Sequence, residues 1–301
     1  MSRSAVGLVG TGAMGSRMGL RLREAGYELV AWNRTAAKLE PLVSAGAQAA
    51  ATPAEVARAA EVTITMLSGQ TALEAVVAGP EGLTAGLRPG TTLIDMSTIG
   101  PTAATWLRSA LPDDVGVLDA PVLGSLTETE AGRLRILVGG DESLLEACRP
   151  VLEVLGTPLH LGPDGAGAAA KLVANASLFG VLGVLAEAVA LADGLGLSRE
   201  ATFETLALTP LAEQASRRRD IFEAEPRTTR FALALARKDA GLIERAAACA
   251  NLDLRIAAAT GSWLADAERG GQGTEDYTAV LRWIVAAREN HEESGGSTGA
   301  G

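Results

Sequence analysis

Over the first half of the chain, short runs of β-branched and aliphatic residues alternate with longer segments in which apolar positions recur every three or four residues. The runs Val6–Val9, Glu28–Trp32, Val62–Leu67, Thr91–Asp95, Gly116–Asp119 and Arg135–Val138 predict strands. Between them, residues 13–25, 36–45, 53–59, 71–77, 101–110 and 142–155 predict helices, several opening on a capping residue such as Thr35, Thr52 or Asp141. Strands separated by helices pair in parallel, so residues 1–163 read as a doubly wound α/β domain.

After Gly162-Pro163-Asp164-Gly165 the alternation stops. A run from about Gly167 to Leu195, nearly all Ala, Val, Leu and Gly, is followed only by helical patterns through Arg288. Residues 164–288 are therefore expected to form an all-α domain around a central helix buried on most sides. The longest apolar stretch, Leu178 to Ala192, contains Glu187 and is shorter than the roughly 20 residues of a membrane span. Residues 289–301, from Glu289 to Gly301, have no apolar anchor and read as a disordered tail. The N-terminus lacks a signal-peptide pattern and reads as the first strand. Two cysteines, Cys148 and Cys249, form neither a disulfide framework nor a zinc motif, and a reduced, cytoplasmic location is the default expectation.

Charge narrows the partners. The 26 Lys+Arg against 36 Asp+Glu leave a formal net charge of −10, which counts against nucleic acid because phosphate neutralisation takes clustered cations. No membrane partner is expected either, while small anionic ligands remain open because they sense only local charge. The 35 glycines demand a reason: either low complexity or repeated close approach of backbone to something.

Gly10-Thr11-Gly12-Ala13-Met14-Gly15 is a G-x-G-x-x-G between the first strand and the first helix, the context of a Rossmann dinucleotide site. Gly10 permits a tight turn, Gly12 lets the backbone approach a pyrophosphate, and Gly15 allows helix and strand to pack closely. The phosphates then sit at the positive helix N-terminus. A turn without a ligand is the plain alternative. Where an NAD-specific site places Asp or Glu at the end of the second strand, this chain reads Trp32-Asn33-Arg34-Thr35. No carboxylate repels a 2′-phosphate there, Arg34 can pair with one, and Asn33 and Thr35 can donate hydrogen bonds, so NADP(H) is preferred with NAD(H) still possible. Arg34 can also be read as a solvated loop cation.

Redox chemistry on a nicotinamide needs a group that gives or takes a proton on the substrate oxygen. Lys171 is the only charged residue between Asp164 and Glu187, and Asn175 follows one helical turn later. Two polar groups on one face of an apolar helix are costly in a dry core, so they are expected to line a cavity near the domain junction. A lysine snorkelling from a buried helix is the alternative. His160 reads as structural, and neither a metal site nor a Ser-His-Asp site has its motif.

Taken together, Gly10–Gly15 with Asn33-Arg34-Thr35, Asp95-Met96-Ser97-Thr98, Asp119-Ala120-Pro121-Val122 with Gly124, Gly132 and Leu134, Gly165-x-Gly167-x-x-x-Lys171-x-x-x-Asn175, and Lys238-Asp239 resemble the β-hydroxyacid dehydrogenases in order and spacing. Within that family the chain is more similar to the NADPH-dependent glyoxylate and succinic semialdehyde reductases than to NAD-dependent 3-hydroxyisobutyrate dehydrogenases. The resemblance implies Lys171 as catalytic acid/base and Asn175 as a catalytic and substrate-holding residue. It also implies cofactor contacts from Met66, Leu67, Thr98 and Lys238, an Asp239 carboxylate near the lysine region, substrate contacts from Val122, Leu123, Gly124 and Ser125, and a homodimer or homotetramer. The expected reaction is reduction of a small aldehyde or ketoacid, or oxidation of the corresponding hydroxyacid.

The chain departs from the family pattern at Leu123, where the family usually has Ser to bind the substrate carboxylate. Either the backbone around Gly124 and Ser125 with the Ser125 hydroxyl takes over, or the substrate is less polar there. Two rival functions stand beside the reductase. An imine reductase shares the cofactor motif but commonly replaces the lysine, and a non-catalytic nucleotide-binding scaffold would lose it; this chain keeps Lys171.

Overall fold

The computed structural model describes residues 3–223 and 228–295. They divide by contacts into two compact units, the first ending at Leu172 and the second beginning at Val173.

In the first unit, β1 (Arg3–Val9), α1 (Ala13–Glu24), β2 (Tyr27–Trp32), α2 (Glu40–Ser44) after a 3₁₀ turn, β3 (Gln48–Ala49), α3 (Pro53–Ala59), β4 (Val62–Thr65), α4 (Gln70–Ala78), β5 (Thr92–Asp95), α5 (Pro101–Ser109) and β6 (Gly116–Asp119) alternate, and the apolar pattern predicts all of them but the two-residue β3. Then follow β7 (Val122–Leu123), α6 (Leu126–Glu130), β8 (Leu134–Gly140), α7 (Glu142–Leu155), β9 (Gly156–Gly162) and the start of α8 (Ala166–Gly194). The strand order is β3-β2-β1-β4-β5-β6-β8-β7, with β9 paired to β8. The chain leaves β1 toward β2 on one side and returns to β4 on the other, so β1 and β4 flank the switch point where doubly wound sheets bind ligands.

Strand alternation sorts the core into two layers. Leu8, Ile64, Ile94 and Leu118 belong to one buried cluster, and their neighbours Val9, Leu93 and Val117 to the other. Pairing from β3 through β6 is parallel as expected, but β8 runs antiparallel to β6 and β7. The physical reason is connection length. Between β7 and β8 only a five-residue helix fits, too little for a parallel crossover.

The second unit contains the rest of α8, then α9 (Arg199–Leu206), α10 (Ala212–Glu223), α11 (Leu233–Cys249), α12 (Arg255–Arg269) and α13 (Ala279–Gly295). Phe179, Leu182, Leu185, Ala186 and Val189 of α8 are buried, whereas Val173, Val184 and Leu191 are 72%, 47% and 64% exposed. The helix is long and apolar enough to cross a membrane by length and composition, yet half of its most apolar stretch is buried within the protein. Burial on most sides does not hold for the single chain, because these three residues, spaced eleven and seven apart, lie on one helical stripe left exposed among the described residues. Helix α13 continues beyond Arg288 into the segment read as a tail: Glu289 to Glu293 contain no Gly or Pro, and glutamate supports helix without an apolar anchor. Residues 296–301 of that segment lie outside the described residues.

Candidate active site

The glycine turn is built by sterics and then left open on one side. Gly10 takes φ +96°, its amide donates to the Trp32 carbonyl at 2.9 Å, and a Cβ there would lie 2.3 Å from the Met66 carbonyl oxygen. A Cβ on Gly15 would fall 2.0 Å from the Gly10 carbonyl oxygen. Gly12 differs, since its φ of −68° suits any residue and a Cβ would meet nothing within 4 Å. Neither backbone conformation nor packing calls for glycine at position 12. A ligand approaching the N-terminus of α1 does, and the first amides of that helix have no intrahelical partner. The turn therefore fits a pyrophosphate.

Around it, the end of β2 folds back on the turn. Thr11 N–H donates to Asn33 Oδ1 at 3.0 Å, Asn33 Nδ2 donates to the Thr35 carbonyl at 3.0 Å, and the Thr11 hydroxyl donates to the Lys38 carbonyl at 3.1 Å. Asn33 thus shapes the turn with both ends of its amide, while Arg34, Thr35 and Lys38 are exposed beside it. Lys38, a second cation at this position, was not singled out by sequence reasoning. Its signal is a Lys four residues after Arg34.

Met66 and Leu67, at the end of β4, abut Gly10, and the Leu67 side chain would lie 2.8 Å from a Cβ placed there. A buried latch joins this segment to the end of β5: Leu67 N–H donates to Ser97 Oγ at 2.9 Å, and Ser97 Oγ and Thr65 Oγ1 donate to Asp95 Oδ1 at 2.7 and 2.6 Å. Burial pushes the Asp95 carboxyl up to about 6 against the lowering effect of the Thr65 and Ser97 hydrogen bonds, and the neighbouring Asp119 adds to the rise. Asp95 thereby fixes the backbone on which Leu67 and Thr98 sit, a role the motif alone did not reveal.

Asp119, in register with Asp95 on the next strand, has a separate task. Its Oδ1 and Oδ2 accept from the amides of Gly165 and Ala168 at 2.7 and 2.6 Å, closing the N-terminus of α8. Burial raises its pKa, with those two backbone donors working against the rise. Two glycines permit the approach: a Cβ on Gly139 would lie 2.5 Å from Asp119 Oδ1, and one on Gly167 2.2 Å from the Leu137 carbonyl oxygen. This anchoring places the first turns of α8 in the α/β unit, nine residues beyond the sequence boundary at 163.

From the anchored turn, the half-buried Lys171 reaches back to β7, and its Nζ donates to the Val122 carbonyl at 2.8 Å. The same short segment, Asp119 to Val122, thus holds both the helix and its lysine. Immediately downstream lie the half-buried Leu123, the exposed Gly124 at φ +129°, and Ser125, whose amide and hydroxyl both donate to Glu128 Oε2 at 2.7 and 2.6 Å.

In the helical unit, Asn175 is buried and donates to Asp239 Oδ2 at 2.8 Å, while Lys238 Nζ pairs with Asp239 Oδ1 at 2.8 Å. The Asp239 carboxylate thus organises both polar side chains. His160 is held by the Gly140 carbonyl at 2.8 Å. Among the described residues no group of three or more His, Cys, Asp or Glu is placed to hold a metal ion.

Residues 5–163 match the family described as the NAD binding domain of 6-phosphogluconate dehydrogenase, and residues 165–284 match the NAD-binding family of NADP-dependent 3-hydroxyisobutyrate dehydrogenase. The chain belongs to the 3-hydroxyisobutyrate dehydrogenase-like, or β-hydroxyacid dehydrogenase, family. As a family member it is 32% identical to 2-(hydroxymethyl)glutarate dehydrogenase of Eubacterium barkeri over 282 residues, covering 92% of this chain and 93% of the relative. It is 31% identical to glyoxylate/succinic semialdehyde reductase 1 of Arabidopsis thaliana over 298 residues, covering 94% and 99%. A solved 3-hydroxyisobutyrate dehydrogenase of Mycobacterium tuberculosis with L-serine superposes with a TM-score of 0.81 at 28% identity, over 93% of this chain and 98% of that one. This β-hydroxyacid dehydrogenase is accordingly an NAD(P)-binding oxidoreductase with a parallel-sheet Rossmann unit and a helical C-terminal region.

Each unit of the enzyme brings part of the expected residue set together. In the first are Gly10 to Gly15, Asn33 to Thr35, Met66, Leu67 and Thr98 at the strand ends, and Val122 to Ser125 with Lys171. The second groups Asn175 with Lys238 through Asp239.

Proposed function

We propose that this enzyme is an NADP(H)-linked reductase of small aldehydes or ketoacids, of the type named for glyoxylate and succinic semialdehyde, that also oxidises the corresponding hydroxyacid. The carrying observation is Lys171, an ammonium on an anchored helix in hydrogen-bond contact with the Val122 carbonyl just before the Leu123–Ser125 turn. When bound, the nicotinamide supplies the hydride for reduction or takes it up in the reverse direction. Lys171 gives its proton to the carbonyl oxygen as negative charge develops there, leaving an alcohol; in oxidation the neutral amine takes the hydroxyl proton. The Val122 carbonyl orients Nζ, and Asp119 keeps the helix from drifting. Asn175, one turn further along α8, holds the substrate, and Asp239 fixes the orientation of its amide.

For the cofactor, the Gly10–Gly15 turn cradles the pyrophosphate, and Thr11, Ala13 and Met14 frame it. Arg34, assisted by Lys38 and Thr35, pairs with the 2′-phosphate, while Met66, Leu67, Thr98 and Lys238 contact the rest. Arg34→Ala is expected to weaken NADPH binding by about tenfold to hundredfold, the equivalent of one charge-assisted contact, and to leave NADH nearly unaffected. Fluorescence titration with both nucleotides checks this, and equal affinities in the wild type overturn the NADP(H) preference.

The uncovered stripe of Val173, Val184 and Leu191 on α8, with the exposed Leu254 and Ile256, fits a second copy of the chain in a homodimer or homotetramer. Light scattering should give a multiple of the chain mass for the wild type and the monomer mass for Leu191→Glu. A monomeric wild type sinks this assembly.

A further inference from the structure

The turn after the Lys171 contact has no uncommitted side-chain donor from Leu123 to Ser125 and carries its own anion. Leu123 has no polar side chain. Ser125 spends both its amide and its hydroxyl hydrogen on Glu128 Oε2, so toward a ligand that hydroxyl offers only lone pairs. Those bonds, the hydroxyl's first, hold the Glu128 carboxyl below the usual carboxylate range, with a small contribution from Arg133, so it is an anion at neutral pH. The half-buried Glu128 is also fixed, since its oxygen is tied to the first residue before α6. Chain length bounds the separation between the lysine's acceptor and the Ser125 cap. Three peptide links separate Val122, which accepts from Lys171, from Ser125, so their Cα atoms lie at most about 11 Å apart. A substrate protonated by Lys171 therefore lies beside a short segment of chain that carries the apolar Leu123 and, through Ser125, the fixed negative charge of Glu128.

Resting on the reductase reading, we infer that Leu123 and the Ser125–Glu128 pair decide between its two substrate classes, favouring a small aldehyde that bears an uncharged group over a ketoacid with a carboxylate beside the lysine. Leu123 offers apolar surface to that group, and Glu128 repels the charged alternative. Like charges brought together against a partner commonly set selectivity of tenfold or more. Such a preference separates this chain from what the names of its relatives indicate for theirs, with Glu128 as a specificity residue.

The test compares succinic semialdehyde with its methyl ester as substrates for NADPH oxidation, two compounds that differ in one charge. The wild type is expected to favour the ester in kcat/KM by at least tenfold. In Leu123→Ser/Glu128→Gln the ratio should move toward the acid by at least tenfold, mainly through a lower KM for the acid; Gln can still accept the Ser125 hydrogen bonds, so α6 keeps its cap. Calorimetry with oxamate and oxamide reads the same discrimination without turnover. Oxamide should bind the wild type at least as tightly as oxamate, and the double variant should reverse that order. A wild type that prefers the semialdehyde acid, or a double variant with an unchanged ratio, overturns the inference. Failure of both carbonyl compounds to consume NADPH in a protein that binds it counts against the reductase reading, and oxamate binding more tightly than oxamide then counts separately against the role of Glu128.

Discussion

Lys171→Met is expected to lower kcat for carbonyl reduction by about 10²- to 10⁴-fold, the range of a general acid, with NADPH affinity unchanged. Methionine keeps the apolar stem along the helix and removes only the proton donor, so α8 should stay in place. Its anchor is independent of the lysine: Asp119 accepts from the amides of Gly165 and Ala168 whether or not residue 171 carries a charge. Cofactor affinity should survive because the glycine turn is held by Trp32, Asn33 and Met66 and makes no use of Lys171. Lys171→Arg sharpens the test. Guanidinium retains the positive charge but does not give up its proton near neutral pH, and its planar fork does not reproduce the contact of an ammonium on one carbonyl. The arginine variant should therefore be nearly as slow as the methionine variant, whereas a role limited to positive charge predicts a working enzyme. Steady-state rates with fluorescence titration of NADPH decide the matter. Turnover of Lys171→Met within about threefold of the wild type would remove the lysine from the chemistry.

The alternation of strands and helices up to β6 was readable because each element repeats its period over enough residues to be recognised. Elements too short to show a period were not: β3 and β7 have two residues each and α6 has five, and β7 with α6 turns β8 antiparallel. Position-specific chemistry divided in the same way. Gly10, Gly12 and Gly15 announce themselves through local spacing, and Lys171 through its isolation in an apolar helix. Asp95 and Asp119 do not, because their tasks depend on partners 30 and 49 residues away, Thr65 and Ala168. The sequence marks Asn33 as a ligand donor; that its amide also shapes the nucleotide turn depends on where Thr11 lies after folding. Glu128 stands at capping-box spacing from Ser125, a local signal, but only the fold shows that both Ser125 donors go to one oxygen of its carboxylate.

Gly12→Ala and Gly15→Ala are expected to fail in different ways, and the difference tests the cofactor site. At position 15 the new methyl would sit 2.0 Å from the Gly10 carbonyl oxygen, a backbone atom that cannot move without undoing the turn. Overpacking against backbone of this kind costs about 1–3 kcal/mol or more, so Gly15→Ala should lower stability in urea unfolding and lose NADPH binding as a consequence. At position 12 the backbone is in an ordinary region at φ −68°, and the methyl would meet no protein atom within 4 Å. Gly12→Ala should therefore unfold at the wild-type urea concentration. Its methyl nevertheless occupies the space that a pyrophosphate needs to reach the free amides of α1, and NADPH affinity is expected to fall by about tenfold to hundredfold, the loss of one or two charge-assisted hydrogen bonds. Retained fold with lost affinity is a pattern that damage to folding cannot produce. Wild-type affinity in Gly12→Ala would instead mean that the open side of the turn does not receive the phosphates, and the assignment of Gly10–Gly15 as their cradle would fall.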